Sequence, residues 1–155
     1  MIQKLKAFLD EHQIKYTTIS HSPAFTALEI AASAHIPAKE IAKTVMITVD
    51  GKMAMAVLPG NYKVDLEHLR WDMDADSVEL ASEKEFGDLF PNCQLGAMPP
   101  FGNLYGMDVF MATRLAEDRY IAFSAGSHTE LIQMAFRDYV RLVRPIELNF
   151  SHQGT

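Results

Sequence analysis

Residues 42–60 read AKTVMITVDGKMAMAVLPG, and the fold turns on how this stretch is interpreted. Two apolar runs flank Asp50-Gly51, a pair that accepts the positive φ angles of a two-residue type I′ turn, so the stretch predicts a β-hairpin. Side chains alternate along a strand. Lys43 therefore shares a face with Val45, Ile47 and Val49, while Thr44, Met46 and Thr48 take the other. An ammonium group at the head of the most apolar strand face has two readings. Its stem covers apolar surface while the head reaches water, or it is a functional cation at the rim of a pocket.

Outward from the hairpin, helices and strands interleave. Ile2, Leu5 and Leu9 recur at helical spacing and predict an amphipathic helix over residues 2–12. KYTTISH, residues 15–21, reads as a strand. Thr26 with Glu29 three residues on forms a capping box that opens a short helix, and Pro37 begins a further helical turn. Asp65 is placed to cap VDLEHLRW, and Ser82 with Glu85 to cap EKEFGDLF. SVELAS, YGMDVFMATRL, RYIAFSAG and HTELIQM supply further strands, and FRDYVRLV closes the pattern as a helix before Pro145. NCQLGAMPPFGN is dense in Gly and Pro and reads as a loop. The expected class is α+β (mixed α/β), one domain over residues 1–150 with a mostly antiparallel sheet packed by helices. Residues 151–155 are set apart as a polar tail.

With 155 residues, 48% of them hydrophobic, the chain has enough apolar material for one core and too little for two. A net charge of −6 argues against a general nucleic-acid coat, because phosphate affinity comes largely from Lys and Arg. Charge is uneven, however. Nine of the twenty carboxylates fall within residues 65–88, whereas Arg137, Arg141 and Arg144 are spaced to share a helical face. That stripe is either solvated or contacts phosphates. The amphipathic start lacks the unbroken apolar core of a signal peptide, and no run nears the ~18 residues of a membrane helix. One cysteine, Cys93, forms no internal disulfide and suits a reducing compartment. The expectation is a cytoplasmic protein without membrane association.

Candidate chemistry is sparse. The six histidines (12, 21, 35, 68, 128 and 152) show no HxxxH, HExxH or Cys-pair spacing, so no metal site is expected. Cys93 stands in no recognisable elbow, and thiolate reactivity needs an electropositive setting. No GxSxG, Walker or Rossmann glycine pattern occurs. Three features remain. They are Lys43, the stiff loop Gly96–Pro100 followed by Phe101, and the Gly126-Ser127-His128 turn. A proline-stiffened loop can aim free N–H groups at developing negative charge, and a histidine beside a turn is a donor, acceptor or base near neutral pH.

Taken in order, HSPAFTALEIA, AKTVMI, the GxxxP of GAMPP and Gly126 to His128 resemble the YbaK/prolyl-tRNA synthetase-associated (INS) editing-domain family over residues 2–145. The resemblance implies a free-standing aminoacyl-tRNA deacylase that hydrolyses the ester of a mischarged tRNA, often tRNA for proline. It uses no metal, no cofactor and no covalent nucleophile, and a synthetase such as prolyl-tRNA synthetase is a possible partner. By that resemblance, Lys43 holds the terminal nucleotide and the Gly96–Pro100 loop offers backbone groups to the ester. Gly126 to His128 then border the amino-acid pocket, and the substrate's own ribose hydroxyl helps place the attacking water. Phe25, Thr26, Thr44, Met46, Ala97, Met98, Phe101 and Ser127 are the expected substrate contacts, and the three arginines the expected acceptor-stem contacts. Thr44 and Met46 lie on the strand face opposite Lys43, which conflicts with one pocket using all three. The alternative is a non-catalytic module of the same fold that binds tRNA or an aminoacyl compound.

Overall fold

The computed structural model describes residues 1–153. Its strands are β1 (Tyr16–Ser20), β2 (Ala42–Val49), β3 (Lys52–Pro59), β4 (Tyr62–Val64), β5 (Val78–Leu80), β6 (Asp108–Ala112), β7 (Tyr120–Ser124), β8 (Glu130–Ala135), β9 (Ile146–Leu148) and β10 (Ser151–Gln153). Its helices are α1 (Gln3–Glu11), α2 (Ala27–Ala34), α3 (Leu66–Asp72), α4 (Glu83–Phe86) and α5 (Phe136–Val143). The class is α+β, as the alternation of patterns predicts.

The hairpin forms as read. Asp50 (φ 50°) and Gly51 (φ 80°) both take the left-handed conformation that a type I′ turn requires, and β2 pairs β3 from Ala42↔Pro59 to Val49↔Lys52. The Asp50 side chain does more than turn the chain. Its Oδ1 accepts from the Asp76 and Ser77 N–H groups at 2.8 and 2.9 Å, which brings β5 alongside β2. The predicted caps are also present: Thr26 and Ser82 each complete a capping box, and Asp65 accepts from the His68 N–H.

A five-stranded sheet, ordered β5-β2-β3-β6-β9, is antiparallel on the β5 side and parallel from β3 to β9. A three-stranded antiparallel sheet, β1-β8-β7, lies beside it, joined through one parallel bridge between Ile41 and Ala122. Strands β4, β9 and β10 have no counterpart in the sequence reading. Each has only three residues, and its pairing partner lies far along the chain. In particular, the stretch set apart as a polar tail begins with Ser151–Gln153, which pair with Val64–Tyr62 of β4. Residues 154–155 lie outside the described residues.

Both faces of the central hairpin are covered, which explains the nearly unbroken apolar run of β3. On one face Met46, Met55, Val57, Val109 and Met111 pack with α1, α5, β7 and β8. On the other, Ile47, Ala54, Ala56 and Leu58 pack under α3 with Leu69, Val78 and Phe150. Helix α2 seals a third cluster, Ile30 and Ala31 against Ile41, Ala122 and Leu131.

Phe101 is fully buried in the first core, its ring edge-on to Tyr139 (5.4 Å between centroids) and tilted against Phe123 (5.4 Å). Tyr139, also fully buried, donates its hydroxyl to the Pro100 carbonyl at 2.7 Å. Helix α5 thereby holds the end of the GAMPP loop. Replacing Tyr139 with Phe leaves the Pro100 carbonyl without this donor and costs about 1–3 kcal/mol. Urea unfolding followed by circular dichroism is expected to show a lower midpoint at unchanged slope.

Candidate active site

Two strands that start side by side and then separate create the cleft. Strand β2 pairs β3 along its whole length, but on its other edge it pairs β5 only over Ile47–Val49, extended by the Ala81 N–H to the Met46 carbonyl. At its start, Ile41 bridges Ala122 of β7. Between these points the edge of Ala42–Val45 has no strand partner among the described residues. A cleft of about 160 Å³ opens there, lined by Phe25, Ala27 and Ile30, by Ile41 to Thr44, by Gly96 and Met98, and by Ser124 at the end of β7. Because the cleft meets the strand at its edge, Lys43 and Thr44 both line it although they point to opposite faces. The conflict between these two residues is thereby resolved.

Lys43 is half-buried, and its Nζ donates to the Gly60 carbonyl at 3.4 Å. Burial, with a smaller contribution from the nearby Lys63 charge, pushes its pKa below the usual lysine value. No ion pair of Lys43 is found among the described residues. The Thr44 hydroxyl is buried and has no hydrogen-bond partner among the described residues. An unsatisfied buried hydroxyl is uncommon in folded proteins; here it belongs to a residue of the cleft wall.

The Gly96–Pro100 loop is fixed from behind by the 126–128 turn. The Gln94 N–H donates to the Gly126 carbonyl (2.9 Å), and the Gly126 N–H to the Ala97 carbonyl (2.8 Å). The His128 N–H donates to Gln94 Oε1 (2.7 Å), and the His128 ring joins Nε2 to the Leu95 carbonyl at 2.8 Å. A carbonyl only accepts, so Nε2 carries a proton, while Nδ1 is buried and without a partner among the described residues. Within the loop the Ala97 N–H is used by the Gln94 carbonyl and the Phe101 N–H by the Pro99 carbonyl, while both prolines lack one. The N–H groups of Gly96 and Met98 find no acceptor among the described residues, and both residues line the cleft. Gly96 adopts φ 85°, a conformation that glycine takes without strain.

Five of the expected site residues thus share the cleft: Phe25, Lys43, Thr44, Gly96 and Met98. The others fall outside its lining. Met46, Ala97, Pro100 and Phe101 are buried behind it. Thr26 is committed to capping α2, Ser127 meets Thr129, and Gly126 and His128 clamp the loop rather than bordering the cleft. Arg137, Arg141 and Arg144 are exposed on and just after α5. Arg141 pairs with Asp138 at 3.1 Å. Helix α5 begins beside Tyr120, the far end of β7 from Ser124, roughly 13 Å along that strand. Ser124, Gln94, Gly60 and Lys63 were missed by the sequence reading. Only Gly60, at the end of VLPG, carried a local signal.

Cys93 lies outside the cleft, and burial pushes its thiol pKa up, the reverse of an activated nucleophile. Among the described residues no three His, Cys, Asp or Glu side chains group as metal ligands, and no helix is long and apolar enough to cross a membrane.

Fold and cleft together define a single α+β domain with a small pocket of mixed polar and apolar lining, a lysine at its wall and a loop with two unpartnered backbone N–H groups. An aminoacyl-tRNA editing domain family model matches residues 21–142, and the chain belongs to that family. Similar curated sequences are proline–tRNA ligases. That of Bacillus mycoides (strain KBAB4) is 31% identical over 74 residues, 48% of this chain and 13% of the ligase. That of Leuconostoc citreum (strain KM20) is 26% identical over 105 residues, 68% of this chain and 18% of the ligase. The chain therefore spans less than a fifth of the length of these relatives. Among solved structures, the hypothetical protein APE2540 superposes with a TM-score of 0.85 at 18% identity, covering 97% of this chain and 100% of that one. A protein provisionally assigned as a trans-editing enzyme for prolyl tRNA synthetase gives 0.81 at 15% identity, covering 97% and 96%. These two likenesses show the fold.

Lys43 carries a charge that the folded state disfavours at neutral pH. Its pKa is lowered, so the destabilisation is fully present below the folded pKa and fades as pH rises towards the ordinary lysine value. Lys43→Met is therefore expected to raise the urea midpoint at pH 7, with a gain that shrinks as pH rises towards the ordinary lysine value of about 10.4 and is gone above it.

Proposed function

We propose that the chain is a trans-acting aminoacyl-tRNA deacylase that hydrolyses the ester of a mischarged tRNA, with tRNA-Pro carrying a small non-cognate amino acid as its substrate. The single observation that carries this reading is the pairing, in one cleft, of the unpartnered Gly96 and Met98 N–H groups with Lys43. Family membership and the proline–tRNA ligase relatives support the substrate class.

An aminoacyl ester is already activated, so catalysis needs orientation and a few aimed donors more than a nucleophilic side chain. In the proposed reaction water adds to the ester carbonyl carbon, and its oxygen gains charge that the Gly96 and Met98 N–H groups receive. Collapse breaks the bond to the ribose oxygen, which takes up the proton lost by the water and leaves a free amino acid. Thr44, Ser124 and the substrate's own ribose hydroxyl position the water. Lys43 faces the sugar-phosphate end. No metal, cofactor or covalent intermediate takes part. The apolar walls of Ala27, Ile30, Ile41, Ala42 and Met98 leave about 160 Å³, which suits a small side chain and excludes larger cognates, as in double-sieve editing.

The exposed arginines 137, 141 and 144 are proposed to meet the acceptor stem, and a synthetase such as prolyl-tRNA synthetase is the proposed partner, in the cytoplasm. A second reading, a binding module without turnover, draws on the absence of any carboxylate, histidine or thiol from the cleft lining.

Lys43→Ala is expected to slow deacylation of mischarged tRNA at least tenfold, about 1.4 kcal/mol in the transition state, while Cys93→Ser keeps full activity. Radiolabelled aminoacyl-tRNA decay checks both, using tRNAs charged with Ala, Cys, Ser, Thr and Pro. Salt-dependent tRNA binding with the ester surviving in every case would decide for the binding module. Replacing all three arginines with Gln is expected to weaken tRNA binding and flatten its salt dependence. Unchanged affinity and slope would return them to a solvated face.

A further inference from the structure

The mouth of the cleft is apolar in a way that the cleft's own chemistry does not require. Phe25 is 67% exposed although it also forms part of the cleft wall. Leu28 (59%), three residues along the chain, and Leu95 (48%), whose carbonyl bonds the His128 ring that Phe25 meets, are exposed as well. Large exposed aromatics beside a binding cleft are informative where scattered apolar residues are not. The Phe25 ring is also held in place. It tilts against the His128 ring, with 4.8 Å between centroids, and His128 is in turn fixed by its hydrogen bonds to Leu95 and Gln94.

At about 160 Å³ the cleft falls below the usual size of a pocket that encloses a drug-sized ligand. It accommodates an aminoacyl group with part of a ribose, and the base attached to that ribose has to lie outside. We infer that Phe25 is a stacking platform for the terminal nucleobase of the substrate, rather than a wall of the amino-acid pocket. This rests on the reading of the cleft as an aminoacyl-ester site. A nucleobase fits the platform because it is neutral and flat, needing a π-face and no counter-charge. The only charged side chain in the adjoining capping box, Glu29, is occupied by the Thr26 N–H at 3.0 Å. The lysine that would hold the attached sugar-phosphate lies inside the same cleft. A protein partner would have no such reason to engage a residue that also lines the pocket.

The test is direct binding of two probes to the full chain, adenosine 5′-monophosphate and ribose 5-phosphate, by NMR titration without any turnover. The wild-type protein is expected to prefer the base-bearing probe. Phe25→Leu is expected to weaken its binding on the order of tenfold while leaving ribose 5-phosphate unchanged, and Phe25→Trp to retain the preference. No preference in the wild type, equal weakening of both probes by Phe25→Leu, or unchanged binding of both would each overturn the platform. The last result would assign the patch to a protein partner instead. A chain that shows base-dependent binding through Phe25 yet hydrolyses no mischarged tRNA supports the platform and refutes the deacylase.

Discussion

The candidate site depends on an unequal sharing of hydrogen bonds along the two edges of β2. One edge is fully paired with β3, whereas the other bridges β7 at Ile41 and then waits until Met46 and Ile47 to meet the β5 segment. Backbone groups left out of a ladder are costly when buried and dry. A gap in the ladder is therefore sustained only where solvent or a ligand reaches it. The cleft occupies this gap, and ligand sites in α/β sheets follow the same logic where neighbouring strands part.

A second constraint holds the chemistry in position. Pro99 and Pro100 are buried and cannot donate, so the loop that carries them has to be anchored by its neighbours. Gln94, Gly126, His128 and Tyr139 do this from behind, and they leave Gly96 and Met98 as the donors with nothing to bind. Donors fixed before substrate arrives need no reorganisation during reaction, which is the main advantage of a preorganised electrostatic site. The same arrangement explains why a histidine can matter without touching substrate. His128 works as a brace, with its proton fixed on Nε2 by the Leu95 carbonyl.

Lys43 shows the cost of such a site. A half-buried ammonium without a carboxylate partner is unfavourable in the folded protein, and the neighbouring Lys63 adds to the penalty. The unpartnered Thr44 hydroxyl adds a second unsatisfied polar group to the same cleft. Local dissatisfaction of this kind is expected where function, rather than folding, has selected the residues.

Much of the architecture was legible in the chain alone. Asp50-Gly51 specified the hairpin because few other residues accept two positive φ angles in succession, and the capping boxes at Thr26 and Ser82 marked helix starts through strictly local hydrogen bonds. The ordered motifs around Lys43, the GxxxP loop and the Gly126–His128 turn pointed to the family that the model match shows. The short strands β4, β9 and β10 were missed because their pairing is supplied by partners distant in sequence. Which residues face the cleft was equally beyond local reading. Phe101 and Met46 look like pocket walls in sequence but are core, and Ser124 and Gln94 look like nothing in particular. The sequence by itself determined the local elements, because turns and caps are decided by neighbouring residues. Only the tertiary structure decided the site, because the cleft exists where β2 and β7 part, and no stretch of chain contains both.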